Sequence, residues 1–346
     1  MNLSILYALG AAALFGASTP LAKRLGLDIP PVLLAGLLYL GSGLGLTIVR
    51  LLRDRGWKQV GLAAAEWPWL LGAVAFGGVI GPIALMVGLT RTSGATASLM
   101  LNLEAVFTAL LAWFVFKEHA DRRIVCGMLA IIAGGMVLAW PTDSLQTQDW
   151  LGPLAVSLAC LCWAIDNNLT RKVSATDALF VAGFKGLVAG LVNGSLALFL
   201  GARFPEWSVL APTLTLGFLG YGVSLVLFVL ALRGLGSART GAYFSTAPFL
   251  GAAIAILVMG EPVTLSFWAA AVLMGIGVWL HLTESHAHEH QHVPLTHGHR
   301  HVHDEHHQHE HAFEWSGVGA HSHVHEHGRM RHSHPHFPDV HHRHGH

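Results

Sequence analysis

Ten long apolar runs, at 3–22, 32–51, 67–90, 94–116, 123–140, 151–170, 178–200, 208–232, 239–259 and 264–283, alternate with short stretches of charge, glycine and proline. About 20 residues of helix, rising 1.5 Å each, cross about 30 Å of hydrocarbon. Membrane-spanning strands are about 10 residues long and alternate in polarity, which these runs do not. The pattern therefore predicts an all-α polytopic membrane protein of ten transmembrane helices, with the lipid bilayer as its solvent. Charged residues make up 12% of the chain, against about 25% in soluble domains. Glycine clusters such as "AFGGVIG" at 75–81 and "AGG" at 133–135 suit close helix contact where lipid gives no hydrophobic drive for packing. The first run has no basic residue before it and two after it, so a retained helix is expected there and not a cleaved signal.

Loop charge sets the expected orientation. With the N-terminus inside, the inner loops hold Arg50, Arg53, Arg55, Lys58, Lys117, Arg122, Arg123, Arg171, Lys172, Arg233 and Arg239, and the outer loops only Lys23, Arg24, Arg91 and Arg203. The expectation is a multi-pass protein of the plasma (inner) membrane with both termini cytoplasmic. Cys126, Cys160 and Cys162 all fall in apolar runs. They are read as small buried residues, because their spacing fits neither a disulfide framework nor a zinc knuckle.

The chain also repeats itself. "FGASTPLAKR" (15–24) lies over "WAIDNNLTRK" (163–172), "AGLLYLGSGL" (35–44) over "AGFKGLVAGL" (182–191), and "EAVFTALLAWFVFKE" (104–118) over "APFLGAAIAILVMGE" (247–261). The offsets are 148, 147 and 143 residues. Five helices per half is an odd number, so the second half is expected upside down relative to the first. Such inverted repeats place a transport site near the bilayer midplane, between the halves. The expected units are 1–142, 149–283 and a tail, 284–346.

These motifs, with "YGVSLVLFVLALRGLGSARTGAYFSTAPFLGAAIAILVMGEPVT" at 221–264, resemble the EamA-type transporters of the drug/metabolite transporter superfamily. The resemblance covers all but the tail. It implies a ten-helix carrier, mostly an exporter of amino acids, metabolites or drugs. Pro248 and the helix-ending Gly260–Glu261 are typical of that family, whereas the first half has Ala105 in place of Pro248, preceded by Glu104. The helix break that Pro248 predicts in the second half is thus not predicted in the first.

An ionisable group inside a span costs at least about 2.5–3.5 kcal/mol and asks for a reason. Glu104 is expected near the middle of the fourth helix, Asp166 in the inner part of the sixth and Lys185 two turns into the seventh. These three are the candidate transport-pathway and proton-binding residues; an Asp166–Lys185 pair that merely locks two helices is the alternative. Ser18 and Thr19 match Asp166 and Asn167 in the repeat. With Asn168, Tyr221 and Tyr243, they are candidate polar groups of a substrate cavity. Glu118 and Glu261, at helix ends, are assigned interfacial roles.

From His286 to His346 the chain has 61 residues, of which 23 are histidine. In an extended chain alternate side chains share a side, so H-x-H spacing lets two imidazoles meet one ion. His286, His288, His290, His292, His297, His299, His301, His303, His321, His323, His325 and His327 are candidate ligands for Zn, Ni, Co or Cu. With almost no apolar periodicity, the tail is expected to be disordered without metal. Outside it only His119 and His281 remain, too few to line a transition-metal path through the bilayer.

No nucleotide-binding GxxxxGK[ST] loop and no G-x-S-x-G elbow occurs, so no ATP motor and no enzyme is expected. The basic runs are too short for nucleic acid. The leading expectation is a secondary transporter that exports a small-molecule metabolite such as an amino acid by alternating access. It needs no cofactor, couples to protons through Glu104 or Asp166, and carries a metal-binding tail. A divalent transition-metal (Ni, Co, Zn) efflux carrier and a membrane-anchored metal-buffering protein are the alternatives.

Overall fold

The computed structural model describes residues 3–58, 62–116, 122–140, 150–173, 176–283, 286–292, 295–301, 321–327 and 330–336. Lys117, Glu118, His119 and His303 lie outside the described residues. Helices run α1 Leu3–Leu25, α2 Pro31–Asp54, α3 Trp67–Ala73, α4 Gly81–Leu89, α5 Gly94–Met100, α6 Leu103–Phe116, α7 Arg122–Ala139, α8 Leu151–Arg171, α9 Ala178–Phe199, α10 Trp207–Leu216, α11 Ser224–Phe244, α12 Ala247–Leu257 and α13 Leu265–Leu282. A seven-residue π-helical segment, Val74–Ile80, joins α3 to α4, and another, Gly217–Val223, joins α10 to α11. Among the described residues, seven helical stretches are long and apolar enough to cross a membrane. The helix α8 has the length, 21 residues, but its last turns carry Asp166, Asn167, Asn168 and Arg171. Large apolar side chains such as Phe199, Leu257 and Leu265 are exposed on the outside of the bundle, where lipid would replace water.

Two helices break where a span of this kind would ordinarily run straight. Leu101 and Asn102 form a turn between α5 and α6, so the first half does break although it has Ala105 in place of a proline. The cause is Asn102, whose Nδ2 donates to the Leu99 carbonyl at 2.8 Å and competes with the helical ladder. In the second half Thr246 Oγ1 donates to Tyr243 O at 2.7 Å and Ser245 Oγ to Gly241 O at 2.8 Å. Pro248 then sits in the first turn of α12, where its missing N–H costs nothing. A second difference lies upstream: the loop expected between 232 and 239 is helical, because α11 runs on to Phe244. Nothing in 224–244 is a proline, and the stop comes only at Ser245 and Thr246.

The centre of the bundle is the crossing of α2 and α9. A Cβ on Gly36 would collide with Gly194 and Asn193, one on Gly43 with Gly186 and Leu187, and one on Gly190 with Leu40. Backbones approach this closely only where side chains are missing. The same local device recurs at the repeat offsets. Gly77 in the first π-segment packs against Asp166 of α8, and Gly220 in the second packs against Ser18 of α1. Phe15 and Trp163, also repeat-related, meet edge to face with ring centroids 5.9 Å apart.

Past α13 the described backbone is extended in four strands, β1 His286–His292, β2 Leu295–His301, β3 His321–His327 and β4 Met330–His336. The strands β1 and β4 pair antiparallel, as do β2 and β3. The tail was expected without fixed structure; its H-x-H alternation has the period of a strand. Cys160 and Cys162 are buried as expected, but Cys126 is exposed on α7.

Candidate transport site

Asp166 and Lys185 form an ion pair between α8 and α9, and each is only 5% exposed. Thr170, one turn further along α8, donates to Asp166 Oδ1 at 2.9 Å, so both carboxylate oxygens are occupied. The first π-segment completes the enclosure. Gly77 has no side chain to obstruct the Asp166 carboxylate, and Gly78 leaves room for Ala189 and Lys185. The π-turn also releases carbonyls from the regular ladder. Gly77 O accepts from Tyr39 OH at 2.6 Å and from Trp163 Nε1 at 3.1 Å; Gly78 O accepts from Asn193 Nδ2 at 3.0 Å.

Glu104 is not in mid-helix but in the first turn of α6, just after the Asn102 break. The positive end of the helix dipole favours a carboxylate there. Asn167 Nδ2 donates to Glu104 Oε1 at 2.7 Å. Asp166 and Asn167 are neighbours on α8, about 100° apart around the helix. The helix therefore turns Asp166 towards α9 and Asn167 towards α6. Their surroundings differ: Asp166 is buried, Asn167 is exposed and Glu104 is half-buried. The structure thus brings Glu104, Asp166, Asn167 and Lys185 together as two polar pairs, one sealed and one accessible.

The other candidates lie apart from the accessible pair. Ser18 is fully buried and donates to Phe15 O at 2.6 Å; Thr19 is 1% exposed and its Oγ1 has no partner among the described residues. Asn168 Nδ2 bonds back to Ala164 O at 2.8 Å. Tyr221 is buried, with its ring 5.5 Å from that of Tyr39 and 6.0 Å from that of Phe15. Tyr243 is half-buried beside the second break. Tyr39, Gly77, Trp163 and Asn193 also belong to this site, and none of them is among the sequence candidates. The signal for Gly77 is its alignment with Gly220 in two glycine-rich runs, visible once the repeat is extended into the third and eighth helices.

The ends of the bundle are tied across the two halves. At one, Glu261 accepts from Gly94 N at 3.1 Å and Ala95 N at 2.9 Å, while within the first half Lys23 donates to Leu89 O at 2.9 Å and Thr92 O at 2.5 Å. At the other, Asp177 caps α9 and accepts from Arg50 at 3.2 Å and Arg53 at 2.5 Å. Burial pushes the Asp177 carboxyl up, but the hydrogen bond and charge of Arg53, with the Leu179 N–H and Arg50, outweigh it and hold the group below its ordinary value.

Comparison with known proteins fits this architecture. The family model described as the EamA-like transporter family matches twice, at residues 2–140 and 150–283. An uncharacterized transporter of Methanothermobacter thermautotrophicus is 26% identical over 285 residues, covering 78% of this chain and 83% of the relative. A probable 4-amino-4-deoxy-L-arabinose-phosphoundecaprenol flippase subunit ArnE of Pseudomonas aeruginosa is 37% identical over 112 residues, 31% of this chain and 93% of its own. A solved crystal structure superposes with a TM-score of 0.62 at 18% identity, covering 80% of this chain and 95% of that one, and so shares the fold.

Proposed function

Because the chain belongs to the EamA-like transporter family, we propose that it is a secondary transporter that exports a small polar or amphipathic metabolite, the amino-acid class included, by alternating access. The observation that carries this reading is the accessible Glu104–Asn167 pair, set at a helix break beside the sealed Asp166–Lys185 pair. Two inverted five-helix units are the proposed frame. The two matched segments, the π-segments and the glycine contacts at repeat offsets support it. A breakpoint in α5–α6 and another in α11–α12 give each unit a place to bend.

Glu104 is the proposed proton site, since Asp166 already has a cation. In proteoliposomes loaded with labelled amino acids, Glu104→Gln is expected to abolish acceleration of efflux by an imposed pH gradient. Unchanged, pH-dependent efflux in that variant would sink the coupling.

The tail is proposed as a cytoplasmic reservoir for Zn, Ni, Co or Cu and not as part of the path. Only His119 and His281 are histidines outside the tail, which supports keeping the metal on the tail and out of the bundle. Cutting the chain after Thr283 is expected to remove metal binding and leave metabolite efflux intact. Loss of nickel or cobalt resistance, with the bundle still folded, would instead make this a metal efflux carrier.

A further inference from the structure

The amino-acid class spans cations, zwitterions and anions, and the charges at the centre discriminate among them. The charged neighbours of the Glu104–Asn167 pair on α8 and α9 are Asp166 and Lys185, which compensate each other in a buried ion pair. In its ionised form the half-buried Glu104 then carries the one charge of the cluster that has no counter-charge. Its partner Asn167 supplies no compensation, because an amide is neutral. The hydrogen-bonding capacity left over has the same sense. With Asn167 Nδ2 given to Glu104 Oε1, the atoms without a donor among the described residues are Glu104 Oε2 and Asn167 Oδ1, both acceptors.

A group that is donor-only and positive meets both conditions, and an ammonium has three N–H donors and no acceptor. A carboxylate meets neither. The cation beside the pair among the described residues, Lys185, is held by Asp166 and is 5% exposed. Trp163 lies one helical turn before Asn167 and leads to the Phe15, Tyr221 and Tyr39 rings, so an apolar substituent on the amine would have aromatic neighbours.

We propose that this protein recognises its substrate through a cationic amine, received by Glu104 Oε2 and Asn167 Oδ1, and discriminates against carboxylate-bearing molecules. This rests on the reading of the Glu104–Asn167 pair as the substrate site; within the small polar or amphipathic metabolites it moves the preferred substrate away from amino acids, which all carry a carboxylate, to organic amines without one. An alcohol of the same shape offers one O–H donor and no charge against the carboxylate, where an ammonium offers three donors and a positive charge, so the alcohol is a weaker ligand.

Isothermal titration of the purified full chain in detergent tests this. The probes are butylammonium and phenethylammonium, the matched acids butyrate and 3-phenylpropionate, and the matched alcohols 1-butanol and 2-phenylethanol. At least one ammonium is expected to bind tenfold or more tightly than its matched acid and alcohol. Glu104→Gln should weaken that binding at least tenfold. An acid or alcohol that binds as well as its ammonium, no binding by either ammonium, or full ammonium affinity in Glu104→Gln overturns the proposal. If Glu104→Gln does not fold, the matched ammonium, acid and alcohol affinities of the parent chain decide, and an ammonium that binds no better than its acid and alcohol overturns it. Uptake of labelled butylammonium into proteoliposomes reads the transport function separately. Binding without flux keeps the amine site and defeats carriage; Glu104-dependent flux of butyrate does the reverse.

Discussion

Gly77 and Asp166 are in contact only because one of them has no side chain: a Cβ on Gly77 would fall among the carboxylate atoms of Asp166. The neighbour in question is the carboxylate that holds Lys185, so the backbone of the π-segment and the buried ion pair fit each other. Gly77→Ala must push the carboxylate away from Lys185 or spread the π-segment from α8. Overpacking of this kind costs about 1–3 kcal/mol. The expected result is a lower melting temperature in detergent and reduced flux, with a smaller loss in Gly220→Ala, whose neighbour is the uncharged Ser18.

The Asp166–Lys185 pair itself makes a clear prediction about non-additivity. Removing one member of a buried ion pair leaves a charge without compensation and costs about 3–5 kcal/mol, whereas removing both is much milder. Asp166→Asn and Lys185→Met are each expected to lower the melting temperature sharply. The double variant should be more stable than either single one, a coupling that a double-mutant cycle reads directly. Additive losses would mean that the pair does not act as a unit.

The sequence made the bundle legible because its signals are long: each apolar run is about 20 residues, and the repeat recurs at 143–148 residues. The ion pair was also legible, since ionisable groups are rare in lipid and Asp166 and Lys185 stood out. What stayed hidden was short-range geometry. Asn102 breaks its helix by one side-chain bond that no composition signal marks, and this moved Glu104 from mid-helix to the start of α6. Asn167, rather than Ser18 or Thr19, proved to be the accessible partner, because one residue's step around α8 separates sealed from open. The histidine tail drew attention by composition alone, while the polar pairs of the bundle rest on four residues.

At the far end of α2, Asp177 links stability to pH. Its carboxyl lies below the ordinary value, so the folded state binds its proton less readily than the unfolded chain does. The stabilisation is then complete above the unfolded value, about 3.9, and is lost as pH falls through the lower folded value. Asp177→Asn is expected to lower stability at pH 7 and to make no difference at the most acid pH the protein survives. Melting curves of both chains from pH 7 to pH 3 check this: the gap should close with acid, and a constant gap would refute the linkage.

Glu261 joins the second half of the chain to the first, and how it gets there makes its role testable. The helix α12 ends at Leu257, and Gly260 takes a φ of 68°, which a side chain would oppose. The turn delivers the Glu261 carboxylate to the Gly94 and Ala95 N–H groups, while Ser93 Oγ takes the Thr96 N–H at 2.9 Å. The first turn of α5 is thereby satisfied from two directions, and Lys23 holds the preceding loop through Leu89 O and Thr92 O. Glu261→Gln keeps one acceptor oxygen and loses the charge, at a cost of about 1–2 kcal/mol. The alternating access proposed for this protein requires this end to open, and weakening the tie favours opening by that amount, or about 5–30-fold in the equilibrium. Deuterium uptake at residues 89–100 is therefore expected to rise in Glu261→Gln and in Gly260→Ala, with no change at the Asp177 end. Equal uptake in the parent and both variants would show that the contact is ornamental and that the bundle opens by another hinge.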